Sequence, residues 1–272
     1  MAEEARRARW PRVVAVVVVV LVAVAGLAFW ATRDRSRPVS LDEARERAGS
    51  TTTRAERPDL ALPEPGVYDY RGSGDESLST PPLSQSEGPT IPGTVEHLDG
   101  GCFRFRLDYS NNHWQTWDYC RRGRDLVERG GQSWQRWTIG PTAITNLSTF
   151  DCGDGAPVLP AERTVGQKWS ALCTGSSDTV SGEAISEGPY EFVGEEEIDV
   201  GGTKIRTAHF LRRREMSGAQ KGSERADVWF AVDTGLPVRN QRTIEVATDT
   251  PIGTSTYREV GELQLRAPSP TS

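Results

Sequence analysis

The feature that constrains the fold most is an alternation of apolar and polar residues enclosed by two cysteines. In residues 102–120, CFRFRLDYSNNHWQTWDYC, every second side chain of the first half is apolar. A period of two gives a strand one face for a core and one face for solvent. The segment Ser110-Asn111-Asn112 suits a turn, because asparagine tolerates the left-handed conformation that tight loops require. The stretch therefore predicts an antiparallel β-hairpin centred on Asn111.

The register of this hairpin predicts a disulfide. With Asn111 at the centre, three pairs are opposed together: Cys102 with Cys120, Phe103 with Tyr119, and Phe105 with Trp117. Directly opposed residues of an antiparallel pair have Cα atoms about 4.5–5.5 Å apart, which is within disulfide range. The chain has four cysteines, so three connectivities are open. We favour the pairs Cys102–Cys120 and Cys152–Cys173.

Two further hairpins support an all-β fold. A turn at Gly201-Gly202 opposes Asp199 with Lys204 and Glu197 with Arg206, so opposite charges face each other across the strands. The segment DVWFAVDTGLPVR turns through residues 233–235, where Pro237 indicates a strand edge or a bulge. We predict one antiparallel β domain of about ten strands over residues 61–268, folded as a curved half-barrel or a sandwich. Residues 269–272 are predicted to be a disordered tail.

An uncharged apolar run near the N-terminus predicts a membrane anchor. Residues 13–31 would span about 28 Å as a helix, close to the thickness of the hydrocarbon core of a bilayer. The alternative is a cleaved signal peptide, for which Ala23-Val24-Ala25 would be the cleavage site. We favour a single-pass helix at the cell membrane, with residues 1–12 as a cytoplasmic tail. The even number of cysteines in the remainder fits an extracytoplasmic, oxidising location for the C-terminal domain.

Residues 32–60 are predicted to be an extracytoplasmic linker, polar and rich in proline towards its end. Ser40 and Glu43 have the spacing of a capping box, which predicts a short helix at residues 41–48.

The charge distribution excludes one class of partner. The chain carries a net charge of −6, although its two arginine-rich segments before residue 38 are positive. An acidic outer domain is a poor partner for nucleic acid, which needs a positive surface. The cluster Arg212-Arg213-Arg214 is a local exception, which we interpret as a solvated strand face.

One part of the chain resembles a known type of domain. The segment YEFVGEEEIDVGGTKIRTAHF, followed by DVWFAVDTGLPVR, is similar to a pattern in extracytoplasmic bacterial β domains of unknown function. The matching features are Gly194, Glu196, the hairpin at Gly201, and the run from Trp229 to Arg239. Such domains are related to the half-barrel of lipoprotein carriers, so the resemblance implies a curved antiparallel sheet with an apolar concave face. It supplies no catalytic residue.

No motif for catalysis or metal binding is present in the sequence. There is no nucleophile elbow, no HExxH motif and no phosphate-binding loop. None of the three histidines has a ligand partner at metal-site spacing. His113 is predicted to be an exposed turn residue, and His209 a hydrogen-bonded residue within a sheet. We predict no catalytic residue, no metal and no cofactor, and hence a protein that is not an enzyme.

Tryptophan is the remaining functional signal, because large aromatic side chains dominate binding hot spots. Trp114 and Trp134 do not fit an inward face, and Trp229 lies on a strand that is apolar on both sides. These three residues are the candidates for contact with a ligand.

Two functions are compatible with these features. The first, which we favour, is a tethered binding module for an apolar or amphipathic envelope ligand, lipidic or glycan, and it predicts a cavity with apolar walls. The second is a protein-interaction subunit or accessory factor of a cell-envelope assembly. It predicts a closed core with an exposed apolar patch of several hundred Å². The oligomeric state is left open.

Overall fold

A computed structural model of the chain describes residues 10–49, 60–250 and 253–271. Residues 1–9 of the predicted tail and residues 50–59 of the predicted linker lie outside this description. The helices are α1, Trp10–Thr32, and α2, Leu41–Ala48. The strands are β1 Gly66–Ser79, β2 Pro82–Glu87, β3 Thr90–Leu98, β4 Cys102–Ser110, β5 His113–Arg122, β6 Asp125–Ile139, β7 Thr142–Leu159, β8 Lys168–Ser177, β9 Ala184–Val200, β10 Thr203–Gly218, β11 Gln220–Ala231, β12 Pro237–Thr250 and β13 Gly253–Leu265.

The strands form one antiparallel sheet that closes on itself. Each strand from β3 to β12 pairs with the next, and β1 pairs with β3 on one edge and with β13 on the other. Twelve strands therefore complete a barrel, while β2 pairs with the second half of β1. The predicted all-β antiparallel sheet is confirmed, but the predicted half-barrel or sandwich is wrong. The closing pair β1–β13 joins the two ends of the domain, a contact for which local patterns give no signal.

The predicted hairpin registers are confirmed. Cys102 lies opposite Cys120, Phe103 opposite Tyr119, and Phe105 opposite Trp117, and both predicted disulfides are present. The turn at Gly201-Gly202 opposes Asp199 with Lys204 and Glu197 with Arg206. On β11 the register shifts between Trp229 and Phe230, next to Pro237, which confirms a bulge at that point.

Aromatic side chains fill the interior near the middle of the barrel. Rings from different strands meet there: Tyr70 contacts Phe105 at 5.9 Å between centroids, and Tyr119 contacts Phe230 at 5.9 Å. The cavity beside Phe105, Tyr119 and Phe230, partly lined by Leu107 and Val228, has a volume of about 20 Å³. Such a space holds about one water molecule. This part of the interior is therefore filled by the chain itself.

The segment after α1 is attached to the barrel rather than free. Residues 33–37, here called the N-terminal strap, run along the sheet beside the β4–β5 turn. The Asn111 N–H donates to the Arg37 carbonyl at 2.8 Å, and the Arg37 N–H donates to Asn111 Oδ1 at 2.6 Å. The Ser86 N–H donates to Asp34 Oδ2 at 3.1 Å. This part of the predicted linker is thus a fixed element.

Helix α2 has the predicted capping box, in which Ser40 accepts from the Glu43 N–H and Glu43 accepts from the Ser40 N–H. It buries Ala44, and Arg47 Nη1 pairs with Asp108 Oδ1 at 2.7 Å. The predicted disordered tail is also partly ordered, since the Thr271 N–H donates to the Val67 carbonyl at 2.7 Å.

Among the residues that the structure describes, none of the helices has the length and apolar character needed to cross a membrane. The predicted span at residues 13–31 is not supported by this finding and stays a prediction.

The disulfides predict a measurable loss of stability. Each closes a short loop, with sequence separations of 18 and 21 residues. Replacing Cys102 and Cys120 together by serine should lower the free energy of unfolding by about 2–4 kcal/mol, because the unfolded chain gains conformational freedom. Urea unfolding of the variant against the unaltered chain measures the difference. An unchanged unfolding midpoint would contradict a structural role of the Cys102–Cys120 disulfide. A variant that folds but no longer binds a ligand or partner would contradict it as well.

Candidate functional site

Five charged side chains form a cluster inside one half of the barrel, and we call this the acid–histidine cluster. It contains Glu76, Glu87, His113, Arg242 and Glu259, each between 1% and 5% exposed. Charged groups are rarely buried unless they are paired, so their partners determine what the cluster can do.

Two glycines make room for the central ion pair of the cluster. Glu87 on β2 and Arg242 on β12 are separated by Gly74 and Gly261, which stand in one row across the sheet. A Cβ at Gly74 would lie 2.4 Å from Glu87 Oε2, and one at Gly261 would lie 2.9 Å from Arg242 Nη1. The missing side chains let Arg242 Nη2 donate to both oxygens of Glu87, at 2.5 and 2.6 Å.

The remaining groups complete a hydrogen-bonded network. Arg242 Nε donates to Glu259 Oε1, and His113 Nδ1 lies 2.7 Å from Glu76 Oε1. The second oxygen of Glu76 accepts from Gln85 Nε2 at 3.1 Å, and the Tyr257 hydroxyl donates to Glu259 Oε2 at 2.5 Å.

Burial and pairing shift the pKa values of the cluster in opposite directions. Burial would lower the pKa of His113, but the Glu76 and Glu87 carboxylates outweigh it and raise that pKa to about 10. Burial raises the pKa of Glu76 despite the opposing effect of His113. Burial would also raise the pKa of Glu87, but Arg242 and His113 hold it at about 2. The His113–Glu76 pair therefore retains a proton at neutral pH.

A second buried cluster overturns the interpretation of the arginine run. Arg212 and Arg214 are 7% and 8% exposed and point inward, because alternate residues of β10 face the interior. Arg214 Nη2 pairs with Glu128 Oε2 at 2.9 Å, and Arg212 pairs with Glu224. Burial would raise the pKa of Glu128, but Arg214 and Arg212 lower it. Arg213 alone of the three has the predicted solvated position, with its side chain 46% exposed.

The prediction that His113 is an exposed turn residue is also wrong. A register shift between Asp108 and Ser110 leaves Ser110 opposite His113, so His113 begins β5 instead of lying in the turn. Its side chain faces inward and is 1% exposed. His209 is a hydrogen-bonded residue within the sheet as predicted, with Nε2 2.8 Å from Asp227 Oδ1.

Two groups of side chains bring potential metal-ligand atoms together. In Glu76, Glu87 and His113, one ligand atom from each residue lies within 4.8 Å of the others, and all three residues are buried. The other group is Glu128 with Cys152 and Cys173. Its cysteines are joined in a disulfide, so they have no thiolate to offer a metal.

The three candidate tryptophans have different positions. Trp229 is 5% exposed, with its ring stacked on His209 at 4.0 Å between centroids and covered by the Arg239 guanidinium at 4.8 Å. Trp114 and Trp134 are half-buried and lie directly opposite each other on β5 and β6. Their rings are nearly parallel, 6.3 Å apart at the centroids.

Trp114 also lines a surface groove of about 420 Å³ beside helix α2, which we call the tryptophan groove. The Arg106 guanidinium lies 4.2 Å from the centre of the Trp114 ring. Asp108, which is 2% exposed, anchors Arg47 at 2.7 Å and Arg106 at 2.8 Å. The groove thus combines an aromatic ring with arginines held in place, a composition typical of binding hot spots.

Most of the acid–histidine cluster escapes sequence reasoning, because its members come from five strands spread over the domain. One sequence signal could have identified members of the cluster: a charged residue at a strand position that the alternation of apolar and polar residues assigns to the interior. Glu259, between the inward positions of Tyr257 and Gly261, is one example.

The sequence matches no protein-family model and no curated protein. Among solved structures, the chain is similar to the hypothetical lipoprotein YmcC of Escherichia coli. The identity is 11%, the match covers 74% of this chain and 86% of that chain, and the TM-score is 0.36. Similarity at this level transfers neither fold nor function.

Removing Arg242 should unfold much of the population. In Arg242→Met, Glu87 and Glu259 lose their buried counter-charge, so we expect a loss of about 3–5 kcal/mol in the free energy of unfolding. The matched control is Arg258→Met, which breaks the exposed pair Arg258–Glu245 and should cost about 0–1 kcal/mol. Urea unfolding compares the two variants, and equal effects would contradict the dependence of the buried Glu87 and Glu259 carboxylates on Arg242.

Proposed function

We propose that the chain is a non-enzymatic extracytoplasmic domain that binds another protein of the cell envelope through the tryptophan groove. The observation that carries this proposal is the filled interior. A site for a small ligand typically encloses roughly 300–1,000 Å³. The interior cavity measures about 20 Å³. This favours recognition on the outer surface over a lipidic ligand held inside the sheet.

The outer surface offers an aromatic row suited to a protein partner. Trp114, Trp134 and Leu147 are directly paired across β5, β6 and β7, so their side chains emerge on the same face. Arg106 and the paired charges of the groove border this row. An aromatic centre with a polar rim is the usual arrangement of a protein interface.

We further propose that residues 13–31 hold the domain at the cell membrane. Described side chains of α1 between residues 18 and 30 are largely exposed and apolar, which supports attachment to an apolar environment.

Site-specific crosslinking in intact cells tests the recognition surface. A photoreactive residue replaces Arg136, which is exposed and two residues from Trp134 on the same face of β6. The matched control replaces Glu245, an exposed residue of β12. We expect one discrete protein adduct from position 136, none from position 245, and loss of the adduct in Trp114→Ala/Trp134→Ala.

The folded state of the double variant is checked by thermal unfolding. The absence of a discrete adduct at position 136 would contradict the proposed surface. Native mass spectrometry of the full chain provides a second check, with the expected mass of the chain alone with two disulfides. A retained lipid-sized adduct would restore the small-ligand hypothesis.

Membrane attachment is tested by alkaline carbonate extraction of cell membranes. The full chain should remain in the membrane pellet, and a chain beginning at residue 33 should be released, because it lacks the apolar segment. Release of both chains would exclude attachment through residues 13–31.

A further inference from the structure

We infer that Glu76, Glu87 and His113 form a binding site for one divalent transition-metal ion, with zinc as the ion that fits best. The site is separate from the tryptophan groove and lies inside the barrel. Its three ligands come from β1, β2 and β5, so a bound ion would join β2 to the closed ring of strands.

The ligand atoms have nearly the separation that a zinc ion requires. Zinc binds imidazole nitrogen and carboxylate oxygen at about 2.0–2.2 Å in tetrahedral geometry, which places neighbouring ligand atoms about 3.4 Å apart. His113 Nδ1 lies 2.7 Å from Glu76 Oε1 and 3.8 Å from Glu87 Oε1. Towards the required value, the first separation would have to grow by about 0.7 Å and the second to shrink by about 0.4 Å. The third separation, between the Glu76 and Glu87 oxygens, is below 4.8 Å.

The atoms that would not touch the ion are already oriented by other groups. Metal-binding histidines and carboxylates usually have such outer partners, which fix the direction of the ligand atoms. The second oxygen of Glu76 accepts from Gln85 Nε2. Arg242 binds both oxygens of Glu87, so Oε1 of Glu87 would bridge the ion and the guanidinium. His113 Nε2 lies 3.5 Å from Ser133 Oγ, an acceptor for its N–H.

The buried charge also matches a divalent cation. Glu76, Glu87 and Glu259 carry three negative charges if ionised, against the single permanent positive charge of Arg242. With the proton that the His113–Glu76 pair retains, the total is −1, and a divalent ion that displaces this proton brings it to zero, a more favourable state for groups shielded from water.

Metal titration of the untagged full chain tests the site. The protein is treated with a chelator, incubated with Zn²⁺, freed of excess ion and assayed for bound zinc by elemental analysis. We expect one zinc per chain and a rise of several degrees in Tm, because an ion that binds only the folded state stabilises it. Glu76→Gln and His113→Gln should lose the bound zinc, whereas the control His209→Ala should retain it.

Binding of Co²⁺ to the unaltered chain provides a readout that does not depend on the variants folding. A visible absorption band typical of tetrahedral cobalt should appear at one equivalent and disappear on addition of Zn²⁺. An unaltered chain that retains no zinc overturns the inference. The inference is also overturned if the Glu76→Gln and His113→Gln variants fold and still bind as much zinc as the unaltered chain.

Discussion

The ion pairs of Arg242 inside the closed sheet are the interaction on which the rest of the structure depends. This one guanidinium joins Glu87 of β2 to Glu259 of β13, and the Glu87–Arg242 pair lies over two glycines that leave it space. The charged side chains are almost completely shielded from solvent, so each carboxylate needs a partner within the protein. The pairing β1–β13, which completes the barrel, lies in the same row, and closure and charge compensation therefore occur together.

The interior has an aromatic part and a charged part, and the two contribute differently. Aromatic rings such as Phe105 and Phe230 are almost completely buried and supply apolar burial. The paired charges add little net stability compared with apolar residues of the same volume, but losing one partner is costly. A register shift of a strand would separate these partners and is therefore disfavoured. The small volume of the aromatic part is the observation that supports the proposed recognition on the outer face.

Local patterns predict the hairpins of this chain well and its closure poorly. The registers at Cys102–Cys120 and at Gly201-Gly202 follow from residues fewer than twenty positions apart, where turn chemistry and alternation act together. The pair β1–β13 joins segments at opposite ends of the domain, and no periodicity reports such a contact. The prediction for Arg212 is wrong because polarity was allowed to decide against the alternation. The prediction for His113 is wrong because this residue next to the turn was assigned to the turn itself. Of the candidate site, Trp114 and Trp134 could be named in advance, since their outward direction depends only on the local strand.

The strap between α1 and α2 fixes the position of α1 relative to the barrel. The Ala31 carbonyl, in the last turn of α1, accepts from the Gly140 N–H at the β6–β7 hairpin, and Arg35 donates to the Gly140 carbonyl. Whatever holds α1 therefore also sets the orientation of the barrel, with the β6–β7 end nearest to α1. The row from Trp114 to Leu147 then lies on a side wall. Under the proposed attachment through residues 13–31, the proposed partner would approach this row sideways, parallel to the membrane.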